Sequence, residues 1–144
     1  MKIRLAFAVA VALGCLFGTT AQAEDAYLCT GDHATGFGFN ADNMQWNIHR
    51  FQPTKLIVKR TDDLVFKWQV YDFSKNVAII NCRGDFDSDG FLGCSGAAEF
   101  RMSQDTLRFL YIYTIGYWSD TDKAPAYKEG TNTPWMEIGR CSRF

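Results

Sequence analysis

Leu107-Arg108-Phe109-Leu110-Tyr111-Ile112-Tyr113-Thr114-Ile115-Gly116-Tyr117-Trp118 is the stretch that decides the fold class. Aromatic and β-branched residues dominate it, as they do in pleated strands. Period two places Leu107, Phe109, Tyr111, Tyr113, Ile115 and Tyr117 on one face. Arg108, Leu110, Ile112, Thr114, Gly116 and Trp118 fall on the other. Both faces carry apolar side chains, so the stretch is expected in the centre of a sheet.

The same reading extends outward. Leu64, Phe66, Trp68 and Val70 alternate with Val65, Lys67 and Gln69. Further strands are expected at Ala26–Thr30, Gln45–Phe51, Lys55–Lys59, Leu64–Val70, Val77–Cys82, Phe91–Ser95, Ala98–Met102 and Trp135–Cys141. Gln104-Asp105 marks a hairpin turn between Phe100 and Leu107. Thr30 to Gly36 reads as a flexible loop, and Asp120–Thr133, polar with Pro125 and Gly130, as the longest one. No segment reads as a helix. The expectation is one all-β, antiparallel domain of about eight or nine strands, a small barrel or a sandwich.

The N-terminus bears the marks of an export signal over residues 1–23. Lys2 and Arg4 are followed by the apolar run Leu5–Leu13, and Ala21-Gln22-Ala23 supplies a small-x-small cleavage site. The run falls short of the roughly 20 residues a membrane span needs, and no later segment is long and uncharged enough to span. Leu13-Gly14-Cys15 offers a rival reading as a lipoprotein signal, but Ala12 stands where Leu is usual and the downstream site is better formed. Removing residues 1–23 from the 144 leaves 121, a single domain at 24–144. Removing Lys2 and Arg4 from the 15 basic residues leaves 13 against 16 acidic ones, a net charge of −3. That balance points away from nucleic acid. It leaves the periplasm or the exterior as the expected address.

Cys29, Cys82, Cys94 and Cys141 remain after processing, an even number in an oxidising compartment. Three pairings exist for four cysteines. Cys82 with Cys94 would close a short hairpin, and Cys29 with Cys141 would tie the start of the domain to its end; this pairing is preferred. Zinc is the rival, but no C-x-x-C pair occurs and both histidines lie far from three of the cysteines.

Asp85-Phe86-Asp87-Ser88-Asp89-Gly90 begins like a calcium loop, with Asp at one, three and five and Gly at six. Gly96 then stands where a bidentate Glu is needed, so Asp85, Asp87 and Asp89 are a weak metal candidate beside the plainer reading of an acidic hairpin turn. Gly93-Cys94-Ser95-Gly96-Ala97 lacks the last glycine and the helix of a nucleophile elbow. His33, in a loop beside Asp32, and His49, on a water-facing strand, are the ordinary candidates for a neutral-pH base. Neither is accompanied by a catalytic constellation, so no catalytic residue and no cofactor is assigned.

Tyr27-Leu28-Cys29, Thr35-Gly36-Phe37 with Trp46 downstream, Glu99-Phe100-Arg101, Tyr113-Thr114-Ile115-Gly116-Tyr117 and Asn132 to Cys141 together give the chain a recognisable look. It resembles a group of uncharacterised small exported proteins of proteobacteria over most of its mature length. That resemblance implies export and carries no activity. In architecture the chain also resembles the periplasmic lysozyme inhibitors, signal-led β-barrels with a cysteine shortly after an early Tyr. Their inhibitory loop motif has no counterpart in this sequence.

The functional expectation is a non-catalytic binding, inhibitory or protective protein acting on a macromolecule of the cell envelope. The alternative is a carrier of a small apolar ligand inside the barrel, and a hydrolase comes third. Recognition falls to loops when strands are packed by alternation. Trp118, Lys123, Tyr127, Lys128 and Trp135, in and beside the longest loop, are therefore the expected binding residues.

Overall fold

Alternation in the sequence becomes the wall of a barrel. The computed structural model describes residues 25–75, 77–119, 130 and 132–143. Among them nine strands follow one another: β1 Ala26–Asn40, β2 Gln45–Phe51, β3 Lys55–Arg60, β4 Trp68–Asp72, β5 Val77–Cys82, β6 Phe91–Ser95, β7 Ala98–Ser103, β8 Arg108–Tyr113 and β9 Trp135–Arg143. No helix occurs among the described residues. All pairings are antiparallel, in the order β5-β4-β3-β1-β9-β8-β7-β6, with β2 on β1 outside this path.

The wall is nearly closed. β5 and β6 are its two edges, and they approach without a ladder between them. The Cys82–Cys94 disulfide joins the edges, with Cα atoms 4.4 Å apart. Both expected disulfides form, and they suit an oxidising compartment. The expected hairpin between Cys82 and Cys94 does not form, because β5 pairs with β4 and β6 with β7. Cys29–Cys141 links residues directly opposite on β1 and β9.

Inward side chains at every second position fill the barrel. Leu56 and Val58 of β3, Trp68 and Val70 of β4, Phe100 and Met102 of β7 and Phe109 of β8 are all buried. Each large apolar side chain so buried contributes roughly 1.5–3 kcal/mol. Trp68 packs edge-on to Phe86 at 5.2 Å, and Phe100 stacks on Phe109 at 5.6 Å. The Trp68 indole N–H donates to Asp85 Oδ1 at 2.8 Å, which satisfies its polar end.

β1 departs most from expectation. Thr30 to Gly36 is continuous strand rather than loop, and β1 runs for 15 residues. A bulge lies between Gly31 and His33, where Gly31 faces Gly139 and His33 faces Ile138. The extra residue, Asp32, shifts the side-chain parity by one. Tyr27 and Cys29 point inward before it, and Ala34 points inward after it. The glycines that suggested a loop serve close packing: a Cβ on Gly31 would fall on the Glu137 carboxylate.

Two strand boundaries also move. Leu64 to Lys67 lie outside any strand, because Asp63 Oδ1 accepts the Val65 and Phe66 N–H groups at 2.7 and 3.0 Å and folds the segment into a turn. β8 stops at Tyr113, short of Trp118. Gly116 adopts φ +132°, and the Ser119 N–H returns to the Gly116 carbonyl at 2.6 Å.

The two bridges should differ in what they hold. Their partners lie 112 and 12 residues apart. In the chain-entropy account these loops correspond to about 5 and about 3 kcal/mol. C29A/C141A should therefore melt lower than C82A/C94A. Amide exchange should rise selectively in β5 and β6 only in C82A/C94A. Thermal melts and hydrogen exchange on both double variants check this ranking.

Candidate functional site

β8 is central, as its sequence implies, but among the described residues its second face has no packed layer against it, and Leu110 and Ile112 there are only partly buried. Leu110 and Ile112 of β8 lie level with Ile138 and Met136 of β9. Met136 faces Thr35 of β1, and beyond it Phe37 of β1 faces Ile48 of β2. All these side chains have the parity opposite to Phe109, Tyr111 and Glu137, so they lie on the outside of the wall. Ile48 is 82% exposed and Phe37, Met136 and Ile138 about half exposed. Between Phe37, Ile48, Ile112 and Met136 runs a groove of about 490 Å³. A sheet face turned to water ordinarily carries polar residues. A continuous apolar band of this kind calls for an explanation that scattered exposed hydrophobes do not.

Cations border one end of the band. Arg108 and Arg140 are directly opposite on β8 and β9. Like charges so placed destabilise a sheet. Arg140 reaches Asp32 at 4.0 Å, and Arg101 pairs with Glu99 at 3.1 Å. No ion pair to Arg108 is present among the described residues. Beyond the other end, Trp46 packs between Phe39, at 5.5 Å, and Tyr117, at 5.7 Å. Trp118 beside it is 75% exposed, with its indole N–H donated to the Thr114 carbonyl at 2.8 Å.

A second arrangement lies on the inner face. β1 leaves β3 after the Gly31 N–H bonds the Thr54 carbonyl at 3.0 Å, and it takes up β2 at Ala34. Glu137 fills the gap between. Its Oε1 accepts the Thr54 N–H at 2.8 Å, and the Thr54 hydroxyl lies 3.2 and 3.1 Å from its two oxygens. The side chain is 1% exposed. Burial pushes the Glu137 carboxyl above its ordinary range, and the Thr54 donors oppose this without reversing it. Burial also raises the Tyr111 phenol, and the Glu137 charge adds to that effect. Sequence reading missed Glu137. The signal was its parity with Trp135, Gly139 and Cys141, which puts a carboxylate on a core face.

The expected site residues divide. Trp118 is exposed and donates to the carbonyl of Thr114, a residue of the outer groove's lining, whereas Trp135 is half-buried with its ring 4.7 Å from Tyr111 and lines the groove itself. Lys123, Tyr127 and Lys128 lie outside the described residues, as do Cys15 and the expected signal segment. The acidic turn commits Asp87 to its own backbone and Asp85 largely to neighbouring side chains. Asp87 Oδ1 accepts the Asp89 and Phe91 N–H groups, and Asp85 takes the Trp68 indole and Arg60. The Trp68 hydrogen bond is the leading cause that holds Asp85 below the usual carboxylate range. Asp32 and His33 border one depression of about 460 Å³, but the Asp32 carboxylate turns to Arg140. His49 is exposed on β2 against Phe51.

A carboxyl whose pKa is raised by folding costs stability once ionised. That cost is full above the native pKa and fades as pH falls through it toward the unfolded value. Glu137→Gln removes the charge and keeps an acceptor for Thr54. The variant should melt at or above the wild type near pH 7, and the difference should close in acid. Thermal melts between about pH 4 and pH 8 check this sign; a variant less stable than wild type near pH 7 contradicts it.

No protein-family model, no curated protein and no solved structure matches the chain.

Proposed function

We propose that this is an exported, non-catalytic binding protein that holds a macromolecule of the bacterial cell envelope on the outside of its barrel. The observation that carries the reading is the apolar band across β8, β9, β1 and β2. Outward Leu110, Ile112, Met136, Ile138, Phe37 and Ile48 have no covering layer among the described residues. Isolated exposed hydrophobes need no explanation, but a continuous row on neighbouring strands does. Aromatic, Met and Arg side chains are the mixture on which interfaces anchor.

The partner's chemistry follows from the border. Arg101, Arg108 and Arg140 favour a surface that presents apolar side chains flanked by acidic groups. An acid set between Arg108 and Arg140 would relieve their mutual repulsion. Trp118 leads into the segment that carries Lys123, Tyr127 and Lys128, which we assign to the same contact. The two disulfides support an oxidising address. The barrel interior supports a carrier less well, since Trp68, Phe86, Phe100, Met102 and Phe109 occupy it.

A photo-cross-linking residue at Trp118 of the exported protein should give one discrete product in the intact envelope, and the same probe at Asn81 should give none. Ile48→Asp with Met136→Asp should leave the melting temperature nearly unchanged, because both side chains already meet water, and should abolish the Trp118 product. Equal products from Trp118 and Asn81, or a product that survives the double substitution, would remove the outer face from the proposal.

A further inference from the structure

We propose that Glu137, Trp135 and Phe51 form a recognition site for an organic cation, a guanidinium or primary ammonium group. The site opens where β1 exchanges β3 for β2, and of its residues Glu137 and Phe51 stand apart from the outer groove while Trp135 borders both. A cavity of about 250 Å³ lies there, with Glu137, Thr54, Phe51 and Trp135 among its lining residues. That volume suits one side-chain-sized group rather than a large ligand.

Three observations converge on a cation. First, the Glu137 carboxylate is buried and no Lys, Arg or His pairs with it among the described residues. Buried carboxylates ordinarily have a positive partner. Second, Thr54 supplies one amide and one hydroxyl hydrogen to a group with about four acceptor positions. Acceptor capacity is left over, and a guanidinium or ammonium group brings several donors. Third, aromatic rings beside a carboxylate are the surroundings in which organic cations are held, because the ring face attracts positive charge. A metal ion fits less well. One carboxylate and one hydroxyl fall far short of the six to eight oxygens of a calcium site, and no group of three or more metal-ligating side chains gathers among the described residues.

A purely structural Glu137 would need no charge. Its hydrogen bonds from Thr54 can be accepted equally by the amide oxygen of Gln, without desolvating an ion. The carboxylate therefore separates a fastening role from a binding role, and Glu137→Gln is the decisive variant.

The test is a titration of the whole exported protein with ethylguanidinium and n-butylammonium, with n-butanol and sodium as controls. Binding is read from the Trp135 indole and Gln52 side-chain amide resonances. The wild type should show saturable shifts with both organic cations and none with the controls. Glu137→Gln should keep its melting temperature within about 3 °C and lose about tenfold or more in affinity. Trp135→Leu should weaken binding of ethylguanidinium while leaving the Glu137-to-Thr54 bonds in place. An Arg-containing peptide blocked at both ends identifies the source. Tighter binding than ethylguanidinium assigns the site to a polypeptide side chain, and weaker binding assigns it to a free small cation. No saturable shift in the wild type, equal shifts in Glu137→Gln, or equal binding of n-butanol would each overturn the proposal. A failure here leaves the outer-face reading untouched, since cross-linking at Trp118 does not involve this cavity.

Discussion

One edge of a strand can pair with one partner at a time, and β1 is asked to serve two. Its first residues pair with β3 and its last with β2, on the same edge, while β9 runs along the other. Between Gly31 and Ala34 that edge has no strand beside it. Two devices make the exchange possible. The bulge at Asp32 turns the side-chain parity, so that Ala34 enters the barrel. Glu137 reaches from β9 to take the Thr54 N–H and hydroxyl, which a ladder would otherwise have to satisfy. Gly31 leaves room for that carboxylate. The cavity, the projecting β1–β2 pair and the outward course of Phe37 and Ile48 all follow from this junction.

Closure of the wall depends on a second economy. An open sheet exposes two edges, and edges invite unwanted pairing. In this protein the edges β5 and β6 meet without hydrogen bonds and are tied by Cys82–Cys94. The other disulfide sits in the middle of the sheet, where β1 and β9 already pair. One bridge thus shapes the barrel and the other chiefly restrains the unfolded chain. With the interior packed by aromatic side chains and the seam tied, the two surfaces proposed for recognition fall on the outer face and at the junction.

Much of this was legible in the sequence, and the misses have physical causes. Period two located β3, β5, β6 and β7 almost to the residue, and the cysteine spacing allowed the right pairing. Gly31, Asp32 and Gly36 were misread because glycine serves turns and close backbone approach alike. Leu64–Val70 alternates well enough for a strand, but Asp63 captures two backbone N–H groups and turns the chain first. The two apolar faces of β8 correctly implied a central strand. They also contained the outer band, which could not be told from a doubly buried strand until its neighbours were placed. Glu137 was hidden because sixteen acidic residues compete for attention and only its parity distinguishes it.

Glu137 holds the β2–β3 link at the place where β1 changes partners. Hydrogen exchange at the Thr54 amide reads that bond directly. The wild type should protect this amide about as well as the neighbouring β3 amides. Protection should persist in Glu137→Gln and vanish in Glu137→Ala. Fast exchange at Thr54 in the wild type, as in a free connection, would contradict the account.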